Sequence, residues 1–219
     1  MPDWRQVTDS VLEATVVLSW SRVGYVARRA MWGWAADQVA GSLTGRQVVI
    51  TGGTNGLGKA AAVALVRAGA RACLVGRSPS RAALAAQEVN AVAGASSSKP
   101  STRPSPAWPG HDPASAPGAW AETADMSSLG QVRHLAGRLS ERLSRLDALV
   151  HAAGGIASNY MLTDQGTELT FATHVLGPHL LTALLAPLLA AGGTSTVVWV
   201  SSGGAYLQPL KVDPLTTFW

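Results

Sequence analysis

From Gly45 onward short apolar runs alternate with helical stretches, and the first run passes through a glycine-rich turn into an alanine-rich helix. That alternation, headed by that turn, predicts an α/β fold built on a doubly wound parallel sheet of about five strands. The expected strands are Gln47–Thr51, Ala72–Gly76, Trp120–Ala124, Ala148–Ala152 and Thr196–Ser201. Runs rich in Val, Leu and Ala, without polar alternation, imply burial on both faces of the sheet. Helical stretches near 57–68, 80–92, 128–143 and 167–191 supply the crossover that each parallel pair needs.

With 219 residues, 47% of them hydrophobic and 14% charged, the chain is long enough to bury one sizeable core and too apolar for wholesale disorder. Its net charge of +4 comes from 17 basic and 13 acidic residues without any run of five like charges, which argues against nucleic acid as a partner. A single cysteine, Cys73, excludes an internal disulfide and a multi-cysteine metal site, so no metal is expected. The lone thiol points to a reducing compartment. The first apolar stretch has an uncharged core from Ala14 to Ser21, far short of the roughly 20 residues that span a bilayer. Neither a secretory signal nor a transmembrane helix is predicted, and the cytoplasm is the expected location.

Two regions flank or interrupt the βα rhythm. Residues 1–44 read as an amphipathic helical segment, ahead of a nucleotide-binding domain over 45–219. Within it Val16, Trp20, Val23, Ala27, Ala30 and Trp34 fall on one stripe, with Arg22, Arg28 and Arg29 largely off it and a break expected at Gly24 or Gly33. Packing of that stripe on the domain's own core is favoured, because the arginines are few for a surface-binding helix. Peripheral membrane contact through Trp20, Trp32, Trp34 and those arginines is the alternative. Residues 91–118 hold six of the 12 prolines, and a disordered Ala/Ser/Pro-rich insertion is expected at about 94–118.

The segment Val48-Val49-Ile50-Thr51-Gly52-Gly53-Thr54-Asn55-Gly56-Leu57-Gly58-Lys59 carries the chemistry. Gly52 permits a sharp turn, Gly56 lets the backbone approach a pyrophosphate, and Gly58 lets helix pack closely on strand. The helix amino end adds free N–H groups and a partial positive charge for the phosphates. The cradle is assigned to Thr51, Gly52, Asn55, Gly56, Leu57 and Gly58. A strand before these glycines and a helix after them are the context that a Rossmann-type dinucleotide site requires.

The spacing Thr-Gly-x-x-x-Gly-x-Gly resembles the short-chain dehydrogenase/reductase family, and the resemblance continues along the chain. Leu74-Val75-Gly76-Arg77 resembles the end of the family's second strand, where an acidic residue would hold the ribose hydroxyl of NAD. Arg77 stands there instead, which implies NADP rather than NAD, with Arg81 as an alternative cation. Asp125 matches the aspartate that the family places near the adenine ring, and it also suits a helix cap. Leu149-Val150-His151-Ala152-Ala153-Gly154 resembles Asn-Asn-Ala-Gly, implying that Gly154 lies near the nicotinamide ribose, with both asparagines replaced. In the stretch from Leu162 to Gly177, His174 stands where the family has a catalytic asparagine, a position that a packed core histidine would also suit. Thr196-Val197-Val198-Trp199-Val200-Ser201-Ser202-Gly203-Gly204 resembles the strand that delivers the catalytic serine, implying Ser202, with Ser201 as fallback. Within the family the chain is similar to the dehydrogenase/reductase member 12 type.

The resemblance implies hydride transfer between a nicotinamide and a carbonyl or alcohol substrate, in an enzyme that can form a homo-oligomer. The family's Tyr-x-x-x-Lys pair has no counterpart here. Tyr206 and Lys211 are five residues apart, about 140° around a helix, with Pro209 between them. Resemblance covers roughly residues 8–212, so the expectation is a member truncated at its carboxyl end, catalytically incomplete, with an apolar fifth strand as an open sheet edge. A non-catalytic NADP-binding or protein-interaction module is the alternative.

Overall fold

The computed structural model describes residues 4–14, 21–33, 41–94, 117–155 and 159–202. It divides into two compact units, Met1–Asp37 with Ser201–Trp219, and Gln38–Val200.

In the first unit, α1 (Trp4–Ala14) and α2 (Arg22–Trp32) are tied by an ion pair from Arg28 Nε to Asp9 Oδ1 at 2.6 Å. Ser21 caps α2 by accepting the Gly24 N–H, and Gly33 ends it in the left-handed region at φ +57°. Of the two expected breaks, Gly33 is one. Gly24 is buried inside the helix instead, because the Ser21 cap starts α2 ahead of it. Val23 and Ala30 of the predicted stripe are exposed, and Val16, Trp20 and Trp34 lie outside the described residues.

The second unit contains β1 (Gln47–Thr51), α3 (Gly56–Arg67), β2 (Arg71–Gly76), α4 (Pro79–Gly94), β3 (Gly118–Thr123), α5 (Leu129–Arg142), β4 (Ala148–His151), α6 (Leu169–Ala191) and β5 (Thr196–Trp199). All pairings are parallel, in the order β3-β2-β1-β4-β5, with Val49 between Cys73 and Leu149 in register. Residue alternation along the strands divides the core in two. Val49, Cys73, Val75 and Leu149 pack with Val132, Leu135 and Leu139 of α5 and Leu181 and Leu185 of α6. Val48, Ile50, Ala72 and Leu74 pack on the other face with Ala62 and Val66 of α3 and Ala85, Ala86 and Val89 of α4. Burial of a side chain such as Ile50 or Leu149 contributes about 2 kcal/mol. This double layer is why the strands read as unbroken apolar runs.

Strand boundaries differ from expectation mainly at β3, which runs from Gly118 to Thr123 rather than from Trp120 to Ala124. Its early start follows from the Asn90 side chain, which accepts from Ala119 N at 2.7 Å and donates to Ala119 O at 3.0 Å. Residues 91–94 belong to α4, and the bulk of the expected insertion lies outside the described residues.

Helix α6 has a π-helical stretch at Ala172–Leu176. By length and composition it could cross a membrane. Leu181, Leu185 and Leu189 are nevertheless buried against the sheet, as a crossover helix requires.

Beneath the amino ends of β1 and β4, the buried Asp147 carboxylate accepts from Arg145, Arg46 and the Gln47 N–H, the last at 2.8 Å. Burial alone would raise the pKa of this carboxyl, but these bonds hold it below the ordinary carboxylate range.

Candidate nucleotide-binding site

The carboxyl ends of β1, β2 and β4 meet where the strand order reverses about β1, the place at which open α/β sheets bind ligands. Thr51, the last residue of β1, fastens this crevice. Its carbonyl accepts from Ala152 N at 3.1 Å, and its hydroxyl accepts from Ala153 N at 3.3 Å. The backbone therefore holds together the segment that lacks the two asparagines.

Gly52 donates to Val75 O at 2.9 Å and turns at φ +69°, where a Cβ would stand 2.5 Å from Ala152 O. A Cβ on Gly58 would stand 2.5 Å from Gly52 O, so α3 approaches the turn more closely than any side chain permits. Asn55 caps α3 by accepting the Gly56 N–H at 2.8 Å. Gly56 has φ +51°, and a Cβ there would meet nothing within 4 Å. Open space therefore lies in front of the first helical residue. An anion fits it, because the first N–H groups of a helix have no intrahelical partner. Leu57 is 74% exposed beside it.

One contact at this loop has no signal in the glycine motif: a Cβ on Gly76 would stand 2.4 Å from Thr54 Cγ2. Thr54 thus seats the glycine loop on the end of β2, just before Arg77. Arg77 and Arg81 are exposed, and neither forms an ion pair among the described residues.

Asp125 accepts from Ser127 N at 2.9 Å and Ser127 Oγ at 2.8 Å, while Ser128 is the residue that caps α5. The expected capping role is thereby divided between them. The following Met126 carbonyl lies 2.0 Å from where a Cβ of Gly177 would be, so α6 passes this turn only through a glycine.

Gly154 and His174 are brought together. A Cβ on Gly154 would lie 2.6 Å from His174 Cε1, and His174 Nε2 lies 3.3 Å from Gly155 N and 3.1 Å from Gly155 O. The π-helical turn carries this exposed imidazole to the end of β4, away from the buried core position that a lone histidine on an apolar helix also suggested. At the start of α6, Glu168 accepts from Thr170 N at 2.8 Å and Phe171 N at 2.6 Å. Burial would raise that carboxyl's pKa, and the two backbone donors bring it below its ordinary value. Ser201 and Ser202 are exposed and belong to the other unit, so the assignment of Ser202 rests on the resemblance. Tyr206 and Lys211 lie outside the described residues. Among the described residues, no three His, Cys, Asp or Glu side chains are grouped to hold a metal ion.

Fold and crevice together define a Rossmann-type α/β domain. The family is given by the sequence: the model of the short chain dehydrogenase family matches residues 46–99 and 111–212, and the chain belongs to that family. DnrU of Streptomyces sp. (strain C5), provisionally named a daunorubicin C-13 ketoreductase, is 37% identical over 174 residues, covering 80% of this chain and 51% of that protein. Retinol dehydrogenase 14 of Mus musculus is 36% identical, covering 74% and 45%. Dehydrogenase/reductase SDR family member 12 of Bos taurus is 29% identical, covering 81% and 49%. The chain spans about half the length of the curated relatives it matches. A short chain dehydrogenase structure from Salmonella enterica superimposes with a TM-score of 0.56 at 22% identity, over 76% of this chain and 62% of that one, a likeness of fold.

Proposed function

We propose that this chain binds NADP in the crevice above β1 and β4 and belongs to an oxidoreductase that interconverts a carbonyl and an alcohol. The observation carrying this reading is the open cradle at Gly56, backed by the amino end of α3 and flanked by the exposed Arg77. The N–H groups around Gly56 and Leu57 hold the diphosphate, and Gly52 and Gly58 keep the turn close enough for them to do so. The Arg77 guanidinium pairs with a 2′-phosphate, where an acidic residue would select NAD. Asp125 borders the adenine. Gly154, steadied by His174, lies beside the nicotinamide ribose. The bound nicotinamide supplies or accepts the hydride, and Ser202 donates a hydrogen bond to the substrate oxygen. The names of the relatives, a retinol dehydrogenase and a ketoreductase, support a carbonyl or alcohol substrate.

A second reading is that these 219 residues, which contain no Tyr-x-x-x-Lys pair, bind NADP by themselves without turning over substrate, as a nucleotide-binding or interaction module. Both readings place the chain in the cytoplasm as a homo-oligomer; peripheral membrane contact through the amino-terminal helical segment is the less favoured alternative.

Calorimetric titration of the 219-residue chain with NADPH and NADH, followed by NADPH oxidation across a panel of aldehydes and ketones, separates the readings. Binding with turnover supports the first, and binding without turnover supports the second. A well-folded chain that gives no heat with either coenzyme overturns both.

A further inference from the structure

The phosphate loop rests residue by residue on the end of β2. Gly52 donates to Val75 O at 2.9 Å, and a Cβ on Gly53 would stand 3.0 Å from Leu74 Cδ2 and 3.2 Å from Leu74 Cα. Thr54 completes the series on Gly76. The Gly76 carbonyl in turn accepts from Ala124 N at 3.1 Å, so this glycine is held to the chain that leaves β3 and gives Thr54 a fixed seat.

The contact is made by a methyl group. Thr54 Cγ2 fills the place that a Cβ of Gly76 would take, and the next atoms from that point are Thr54 Oγ1 at 3.3 Å and Thr54 Cβ at 3.4 Å. Gly76 is buried and its φ is not positive, so the methyl group, and not the backbone, is what demands glycine there. Thr54 Oγ1 makes no hydrogen bond among the described residues. Because a β-branched side chain is stiff about χ1, the methyl serves as a rigid spacer between loop and strand.

We infer that Thr54 is a positioning residue for coenzyme choice: its methyl group, set against Gly76, fixes the distance between the diphosphate cradle at Gly56 and the guanidinium of Arg77. Gly56 follows the contact by two residues on the loop, and Arg77 follows it by one on the strand. NADPH must reach both places at once, whereas NADH needs only the cradle. A spacer held at the right length therefore acts on the preference for the 2′-phosphate and leaves diphosphate binding itself alone. This inference rests on the proposed role of Arg77, and the experiment below separates the two.

Calorimetric titration of the 219-residue chain with NADPH and with NADH tests it, the ratio of the two affinities being the readout. Thr54→Ser removes the methyl and keeps the hydroxyl, and the ratio is expected to fall about threefold. Thr54→Val keeps the methyl and removes the hydroxyl, and the native ratio is expected. Gly76→Ala drives a Cβ into Thr54 Cγ2, so the ratio is expected to fall about tenfold and the melting temperature with it. Combining Thr54→Ser with Gly76→Ala moves the methyl from one residue to the other, and both quantities are expected to return most of the way. An unchanged ratio in Thr54→Ser, a loss in Thr54→Val as large as in Thr54→Ser, or a combined variant no better than Gly76→Ala would each overturn the inference. If Arg77→Glu lowers the ratio while Thr54→Ser does not, the role of Arg77 stands and the inference falls; if neither lowers it, both fall.

Discussion

Nε2 of His151 lies 2.8 Å from Oγ1 of Thr182, tying the last residue of β4 to α6. The threonine hydroxyl donates to the Pro178 carbonyl at 2.9 Å, so the imidazole donates from Nε2 and keeps its lone pair on Nδ1. Nδ1 is buried without a hydrogen-bond partner, and the ring lies against Trp199 with centroids 4.5 Å apart. A second proton would therefore place an unpaired charge inside the sheet. Burial accordingly lowers the pKa from 6.5 to about 4.

Stability should depend on pH through this residue. Between the folded value of about 4 and the unfolded value of 6.5, the unfolded chain binds the extra proton. Stability is then fully present above the unfolded value and is lost as pH falls toward the folded one, by up to about 3 kcal/mol. Urea midpoints measured at pH 4.5 and 7.5 should differ accordingly in the native chain. In His151→Asn, which keeps a donor for Thr182 but cannot titrate, the difference should shrink. An unchanged difference would assign the acid sensitivity elsewhere.

The glycines of the phosphate loop should separate into two kinds. Gly58→Ala drives a Cβ to 2.5 Å from the Gly52 carbonyl, so it should lower stability by about 2 kcal/mol and disturb binding through the fold. Gly56→Val enters open space at φ +51° and should cost about 1 kcal/mol of backbone strain while abolishing NADPH binding. Thermal melts and calorimetry on the two variants check this. Retained coenzyme affinity in Gly56→Val would remove the loop from the site.

Coenzyme choice should follow Arg77. It is exposed at the end of β2, so Arg77→Glu should leave the melting temperature nearly unchanged. The ratio of NADPH to NADH affinity should fall at least about tenfold, the loss of one charge-assisted contact. An unaltered ratio, with Arg81→Glu shifting it instead, would move the role one helical turn along.

Asp147 should be a stability residue with no part in binding. Its replacement by Asn leaves Arg145 and Arg46 without their shared carboxylate, and a loss of about 3 kcal/mol is expected at neutral pH. Because the carboxyl is held below its ordinary range, its contribution is present above the unfolded carboxylate value and disappears as pH falls through the lower folded value. Denaturant melts below about pH 4, compared between the native chain and Asp147→Asn, should therefore converge.

The layout of this protein was already present in local sequence. Apolar runs at Val48–Ile50, Ala72–Val75 and Leu149–Val150 mark strands that both helical layers cover, and Gly52, Gly56 and Gly58 announce the turn, because glycine spacing reports directly on backbone conformation. The member's family was legible for the same reason. Strand ends were less so, since β3 begins where the Asn90 amide captures Ala119, a contact across a segment of chain that no local pattern encodes.

Three matters were decided only by the tertiary structure. Thr54 lies on Gly76, a contact between different βα units, and His174 lies on Gly154 and Gly155, where the π-helical turn of α6 brings it back to the end of β4. His151 became a neutral, buried tether to Thr182 because the register of β4 points it at α6 and not at solvent.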